Sequence, residues 1–360
     1  MIPVSKPQIG AEEKAAVMAV LDSGVIASGP VTEAFEREFA AFTGARHAVA
    51  VANGTAALHV AFLAAGLKPG DEVLTTPFTF VASLNSILFA GGVPKVVDVD
   101  AATFNLDPSK LAKAIGPRTK AILPVHLYGL AADMAPILEV ARDHGLTVIE
   151  DAAQSHGATY QGKQVGTMGD AGCFSMYPTK NLAMCEGGMV TTDRDEVAGL
   201  ARSIRNHGRG VATLGTYDHV RLGHNFRSND VAAAIGRVQL KRLPGFNAAR
   251  RANAKRLAEA LAGHPDLVAP VVPAGREHVW HQYTVRSRRR DPFVAHMKAA
   301  GVGTGVYYPK VAYAYPHLEP CRAACPVAER LATEVASLPV HPGLGEADLG
   351  TITAALRAWK

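Results

Sequence analysis

The segment Ser175-Met176-Tyr177-Pro178-Thr179-Lys180-Asn181-Leu182, followed closely by Glu186-Gly187-Gly188-Met189-Val190, decides how the rest of this chain is read. It places a lysine just past a short apolar run, Gly172 to Ser175, among small and polar residues. A lysine so placed is a candidate to hold an aldehyde cofactor, such as pyridoxal phosphate, as a Schiff base. It is also what an ordinary surface lysine at a strand–loop junction looks like. These residues alone leave both readings open.

Outward from this segment, short β-rich runs alternate with helical patterns. Candidate strands are His47 to Val51, Glu72 to Thr75, Lys95 to Val99, Ala121 to Val125, Thr147 to Glu150, Gly172 to Ser175 and Met189 to Thr192. Several are continuous apolar runs, as strands covered on both faces require. Amphipathic segments such as Thr55 to Ala65 and Met134 to His144 lie between them. The alternation predicts an α/β fold with a mostly parallel sheet between helices. Ligands of such sheets sit outside the carboxyl ends of the strands, so functional residues should follow strands.

The 360 residues suffice for two domains, expected at 1–244 and 245–360. A helical pattern from about Asn229 to Gly263, with Asn229 as N-cap and a break near Pro244-Gly245, would bridge them. The second domain reads as strand (Val279 to Arg286), helix (Pro292 to Ala300), strand (Thr304 to Tyr308), a surface loop (Tyr307 to Pro326), and helices near Pro326 to Ala336 and Glu346 to Trp359. Apolar content of 48% and charged content of 19% fit a globular enzyme. No apolar run could span a bilayer, and the N-terminus carries no secretory pattern. With only four cysteines, a reduced, cytoplasmic protein is expected. The net charge of +5 is too small for a nucleic-acid signature, and the run Arg286 to Arg290 reads as a solvated turn, with a contact to an anionic substrate or a partner chain as the alternative. His317, Cys321 and Cys325 share a four-residue interval, but the prolines around them oppose a continuous helix and no fourth ligand is evident; no metal site is expected.

Several residues could serve a phosphorylated ring cofactor. Asn53-Gly54-Thr55 ends a strand and opens a helix, where free amides and the helix dipole favour phosphate; simple N-capping is the alternative. Asp151 ends a strand and could pair with a protonated pyridine nitrogen, or merely cap a helix. Gln154 lies within reach of the same ring. Phe80 could stack on it, or be core. Asn225 and Arg227 follow Gly223, and His207 and Arg209 occupy a second basic loop; both loops suit oxyanions, or are solvated turns.

In this order and spacing the motifs resemble the DegT/StrS-type sugar aminotransferase family, within the fold type I (aspartate aminotransferase) superfamily of pyridoxal-phosphate enzymes. The resemblance runs from Ser28-Gly29-Pro30 through Asn53 to Leu58, Pro124 to Gly129, Glu150 to Gln154, Ser175 to Gly188, Leu222 to Arg227 and His278 to His281. It closes with Gly303 to Pro309 and Leu338 to Gly343. It implies a large domain with a seven-stranded, mostly parallel sheet and a smaller α+β domain. Lys180 would anchor the cofactor, Asp151 would face the ring nitrogen and Gln154 the phenolic oxygen. Phe80 would stack, and Gly54, Thr55 and Ser175 would contact the phosphate. Asn225 would reach the phosphate in a neighbouring subunit, which implies a homodimer with composite sites. The implied reaction moves an amino group, through a pyridoxamine form, from an amino acid such as glutamate to a keto-sugar. The favoured acceptor is a nucleotide-linked 3- or 4-keto-6-deoxy sugar, with His207, Arg209, Arg227, Tyr307 or Tyr308 as its contacts. Keto-cyclitol amination, sugar dehydration and a non-enzymatic regulatory role are the alternatives. Dehydratase relatives replace the lysine with histidine, and this chain keeps Lys180. Cys185, Met176 and Phe226 stand where relatives often have glycine, an aromatic and tyrosine.

Overall fold

The structure is a computed structural model that describes residues 1–210 and 217–360. Its centre is a seven-stranded sheet. Across it the strands lie in the order His47–Val51, Gly188–Thr192, Ala171–Ser175, Thr147–Asp151, Thr119–Ile122, Glu72–Thr75, Val93–Val96. All neighbours are parallel except Gly188–Thr192, which runs antiparallel to both of its partners. All seven expected strands are present, shifted by three residues at most.

Alternation along the strands sorts their side chains onto two faces. Ala48, Ala50, Leu74, Ile122, Val148, Phe174 and Met189 pack on one face with Phe35, Phe39, Ile137 and Leu240. Val49, Val51, Val73, Ala121, Ile149, Cys173 and Val190 pack on the other with the helices Gly54–Ala64 and Asp195–Ile204. Both faces are covered, so the strands read as apolar throughout rather than as alternating. The return strand starts at Gly188, where a Cβ would lie 2.2 Å from the carbonyl oxygen of Asn53, so glycine permits a close backbone contact. That contact presses the end of the Lys180 loop against the start of helix Gly54–Ala64.

The long helix runs from Asp230 to Ala260, with Asn229 as its N-cap through a 2.8 Å bond from Ala232 N–H to Asn229 Oδ1. The expected break near Pro244 is absent; Pro244 lies inside the helix. The helix is buried on both sides of that point, by Leu240 and Leu243 before it and by Asn247, Arg250 and Asn253 after it. Packing on both halves outweighs the one hydrogen bond that proline removes.

The C-terminal part departs further from expectation. Strand Tyr283–Arg286 pairs antiparallel with Val335–Leu338, whereas Val335 and Ala336 were expected to end a helix. That helix stops at Glu334, where the chain enters a fully buried strand. Thr304 to Tyr308 forms no strand, only a single bridge from Gly305 to Ser337. The segment Tyr307 to Pro326 is not a simple surface loop: Tyr313, Leu318 and Cys325 are buried against Phe78 and Phe104. Among the described residues no helix is long and apolar enough to cross a membrane, and no group of His, Cys, Asp or Glu is placed to hold a metal. His317 instead faces Asn85 Oδ1 at 2.9 Å.

Candidate active site

A cleft of about 770 Å³ opens at the carboxyl ends of strands Thr147–Asp151 and Ala171–Ser175. Asp151, Gln154, Ser175, Lys180, Gly54 and Thr55 all line it. Phe80, Tyr307 and Tyr308 close its rim. Lys180 stands in the turn after strand Ala171–Ser175, with its N–H bonded to the Tyr177 carbonyl at 2.8 Å. It is half-buried on the cleft floor rather than out on the surface. Burial pulls its ammonium pKa down to about 8, against a smaller upward pull from Asp151. A lysine in this state has an appreciable neutral, nucleophilic fraction near neutral pH.

Asp151 ends its strand and is buried. No helix follows it, so it caps none; its Oδ1 accepts from Ala153 N–H at 3.1 Å, and Oδ2 accepts from Ser83 Oγ at 2.7 Å. Ser83 in turn lies 2.9 Å from Thr79 Oγ1. Thr79 thus backs Ser83, and Ser83 orients the carboxylate. Nothing local in the sequence marked them; Ser83 comes from helix Ala82–Phe89, 68 residues before its acceptor.

The next residue inward, Glu150, is fully buried. It accepts from Gly166, Met168 and Gly169 N–H at 2.7–2.8 Å and from His126 Nε2 at 2.9 Å. His126 Nδ1 accepts from Ala132 N–H, which leaves the ring proton on Nε2. Burial opposes the charge on Glu150, yet the His126 bond and the backbone amides outweigh it and keep its pKa low. This buried pair fixes the strand that carries Asp151.

Helix Gly54–Ala64 opens at the end of strand His47–Val51, where a helix start was expected. Asn53 Oδ1 accepts from Ala56 N–H at 2.9 Å, so Asn53 is the cap. Gly54 and Thr55, on the cleft wall, supply the uncapped amides of the first turn. A Cβ on Gly54 would fall 2.6 Å from Ser175 Cβ. Glycine therefore brings the helix start against the strand end, which makes a narrow cradle suited to a phosphate. Gln154 Oε1 accepts from Tyr128 N–H at 2.7 Å, and its Nε2 donates to Tyr308 Oη at 3.0 Å. The Gln154 amide thus presents a donor toward the cleft. Phe80 is 55% exposed, so it is not a core residue; its ring lies 6.0 Å from that of Tyr308. Donor, carboxylate, cradle and amine on one wall fit a phosphorylated pyridine aldehyde.

The remaining candidates are not lining residues, although Phe226, between Asn225 and Arg227, is one. Asn225 pairs with Asn206, Arg227 Nη1 donates to Asn206 Oδ1 at 2.8 Å, and His207 N–H donates to the His224 carbonyl. Arg209 stacks over the Tyr217 ring at 5.2 Å. None of Asn225, Arg227, His207 and Arg209 lines this chain's own cleft. His59, Glu186 and His281 do line it, and sequence reasoning missed all three. Burial lowers the His281 pKa well below the usual histidine value, with Lys180 adding to the effect.

Residues 7–357 match the model of the DegT/DnrJ/EryC1/StrS aminotransferase family. The chain belongs to this family. It is a pyridoxal-phosphate-dependent aminotransferase of the corresponding α/β fold. It is 44% identical, over 92% of its length and 91% of the relative's, to a pleiotropic regulatory protein of Geobacillus stearothermophilus. It is 42% identical, over 94% of its length and 91% of the relative's, to a UDP-N-acetyl-3-dehydro-alpha-D-glucosamine 3-aminotransferase of Acidithiobacillus ferrooxidans. Its structure is similar to DesV of S. venezuelae in complex with a ketimine intermediate, with a TM-score of 0.94 and 40% identity over 97% of this chain and 94% of that one. Membership accounts for the one cleft in which a lysine, a carboxylate and a phosphate-type helix start meet.

Proposed function

We propose that this aminotransferase moves an amino group from an amino acid, glutamate in the first instance, to a nucleotide-linked keto-sugar. One observation carries the reading. A lysine with a depressed pKa and a carboxylate held by a hydroxyl line the same cleft as an amide cradle. The sugar acceptor is inferred from relatives that aminate nucleotide sugars.

Pyridoxal phosphate, when bound, supplies an electron sink that lets a C–H bond next to nitrogen ionise. Lys180 is the group assigned to hold the cofactor's aldehyde carbon. As a neutral amine it would also be the base for the proton on the donor's α-carbon, held on Nζ until it is handed back. Asp151 holds a proton on the ring nitrogen by charge pairing. Its bond from Ser83 keeps it aimed. Gly54, Thr55 and Ser175 bind the phosphate, Gln154 donates to the phenolic oxygen, and Phe80 covers one ring face. Tyr307 and Tyr308 at the rim are the contacts assigned to the acceptor.

Asn225, Arg227, His207 and Arg209 do not line their own cleft, and we assign them to the cleft of a second subunit in a homodimer. The residues divide at 1–244 and 245–360, with the long helix passing through the division, and the protein is assigned to the cytoplasm. A keto-cyclitol is the alternative acceptor, separated from nucleotide sugars by a substrate panel. The central test is borohydride reduction of the purified, yellow protein followed by peptide mapping. Pyridoxyl label on Lys180, together with loss of turnover in Lys180→Ala, is the expected result. A protein that gains no visible absorbance with added cofactor would refute the assignment.

A further inference from the structure

Lys180 and Asp151 must sit at opposite ends of the same small ring, yet they stand on separate loops. What sets the distance between those loops lies outside the cleft. Asn181, next to Lys180, is buried and donates from Nδ2 to Asn247 Oδ1 at 2.9 Å and to the Val279 carbonyl at 2.8 Å. Asn247 is buried as well, and its own Nδ2 donates to the His156 carbonyl at 2.9 Å. His156 closes the tight loop that begins at Asp151. That loop is held by bonds from Ala152 N–H to the Cys173 carbonyl, from Ser155 N–H to the Ala152 carbonyl, and from Ser155 Oγ to the His126 carbonyl. One side-chain amide therefore accepts from the lysine loop and donates to the aspartate loop.

The neighbouring chain is built around this amide. Gly157 has φ of +83°, and a Cβ there would come 3.0 Å from Asn247 Nδ2. Asn247 stands on helix Asp230–Ala260, three residues past Pro244 and one turn before Arg250, whose Nη1 donates to the Trp280 carbonyl at 2.9 Å. The continuity of that helix delivers the amide; a break at Pro244 would not. Asn247 does not line the cleft.

We propose that Asn247 is a positioning residue for this aminotransferase, a crosspiece that fixes the separation of Lys180 and Asp151 by tying their two loops to one rigid helix. The proposal rests on the assignment of those two residues to the cofactor. An amide suits the task because it accepts on one atom and donates on the other. Both bonds are buried, so water does not replace them at no cost when they are lost.

The test uses the cofactor-loaded enzyme with Asn247→Ala, and Asn253→Ala as the control. Asn253 is buried on the same helix and bonds only to the carbonyls of Val340 and His341, away from the cleft. Three quantities are compared: the cofactor dissociation constant, the midpoint of the pH titration of the bound cofactor's visible absorbance, and kcat against KM. Asn247→Ala should lower kcat by about 10²-fold, the order that a misplacement of about 1 Å brings, with KM for the donor changed far less. The absorbance midpoint should move in Asn247→Ala and stay in Asn253→Ala. Asn247→Asp keeps the bond from Asn181 but faces the His156 carbonyl with a second oxygen, so kcat should fall and the absorbance midpoint should move in it as well. Where Asn247→Ala does not fold, Asn247→Asp and Asn181→Ser are read in the same way. Adding Asn181→Ala to Asn247→Ala should cost less than the sum of the two. If Asn247→Ala or its substitutes match the control in all three quantities while borohydride labels Lys180, the positioning role is overturned alone. Label on another lysine overturns the cofactor assignment and this proposal together.

Discussion

Replacing Lys180 with methionine removes one titrating group and little volume, so it isolates the energy stored in that lysine. In the folded, cofactor-free protein the ammonium pKa is about 8, set by burial first and pulled partly back by Asp151, against 10.5 when unfolded. Below pH 8 both states hold the proton, and folding bears the full cost of burying the charge. Between 8 and 10.5 the unfolded chain binds more protons than the folded one, so stability rises with pH across that window. The whole shift corresponds to about 3 kcal/mol, of which about 2 kcal/mol falls between about pH 7.5 and about pH 9.5. Buried groups such as Tyr308 and Cys173, with raised pKa values, act in the opposite direction at the alkaline end. They are common to both proteins and cancel in the difference. The assay is urea denaturation of the cofactor-free wild type and Lys180→Met over this range. Wild type should gain stability relative to the variant as pH rises, and Lys180→Met should be the more stable protein near pH 7. Parallel curves would refute the claim that Lys180 is held in a desolvating site.

Gly54→Ala places a methyl 2.6 Å from Ser175 Cβ and should weaken cofactor binding by about 1–3 kcal/mol in a spectroscopic titration. Gly199→Ala, in helix Asp195–Ile204 with nothing within 4 Å of the new carbon, should instead leave cofactor binding alone and raise stability by up to about 1 kcal/mol. Ser83→Ala removes the hydroxyl on Asp151 and should cost about 1.5–3 kcal/mol of cofactor affinity, with little change in melting temperature of the cofactor-free protein. Glu150→Gln breaks a fully buried set of four donors and should destabilise folding by about 3–5 kcal/mol in denaturant titrations; a loss under 1 kcal/mol would show that the carboxylate is not charged in the fold.

Much of the molecule was legible in the chain because the signals are local. Strands such as Thr147–Asp151 are apolar runs, Asn229 and Asn53 are caps read from neighbouring residues, and Lys180 and Asp151 follow strands, where an open α/β sheet places its ligands. The misreadings share a cause. Pro244 signals a break by its own chemistry, but burial of Leu243 on one side and Asn247 on the other keeps the helix whole. Val335 and Ala336 looked like the end of a helix, but they join a strand because Tyr283–Arg286 offers a partner.

The sequence by itself determined the layer order, the covered sheet, the phosphate-type helix start and the chemical identity of the lysine and carboxylate, because each depends on a few adjacent residues. Tertiary structure alone decided that Ser83 would orient Asp151, that Asn247 would tie the Lys180 loop to the Asp151 loop, and that Phe226, rather than its neighbours Asn225 and Arg227, would line the chain's own cleft. Those contacts join residues from 66 to 91 positions apart, except for the last, which concerns which side chain of a loop faces the cleft. The physical reason is the same throughout. Local propensities fix which groups a strand end or helix start presents, whereas the distance between two such ends is set only when a distant element packs behind both.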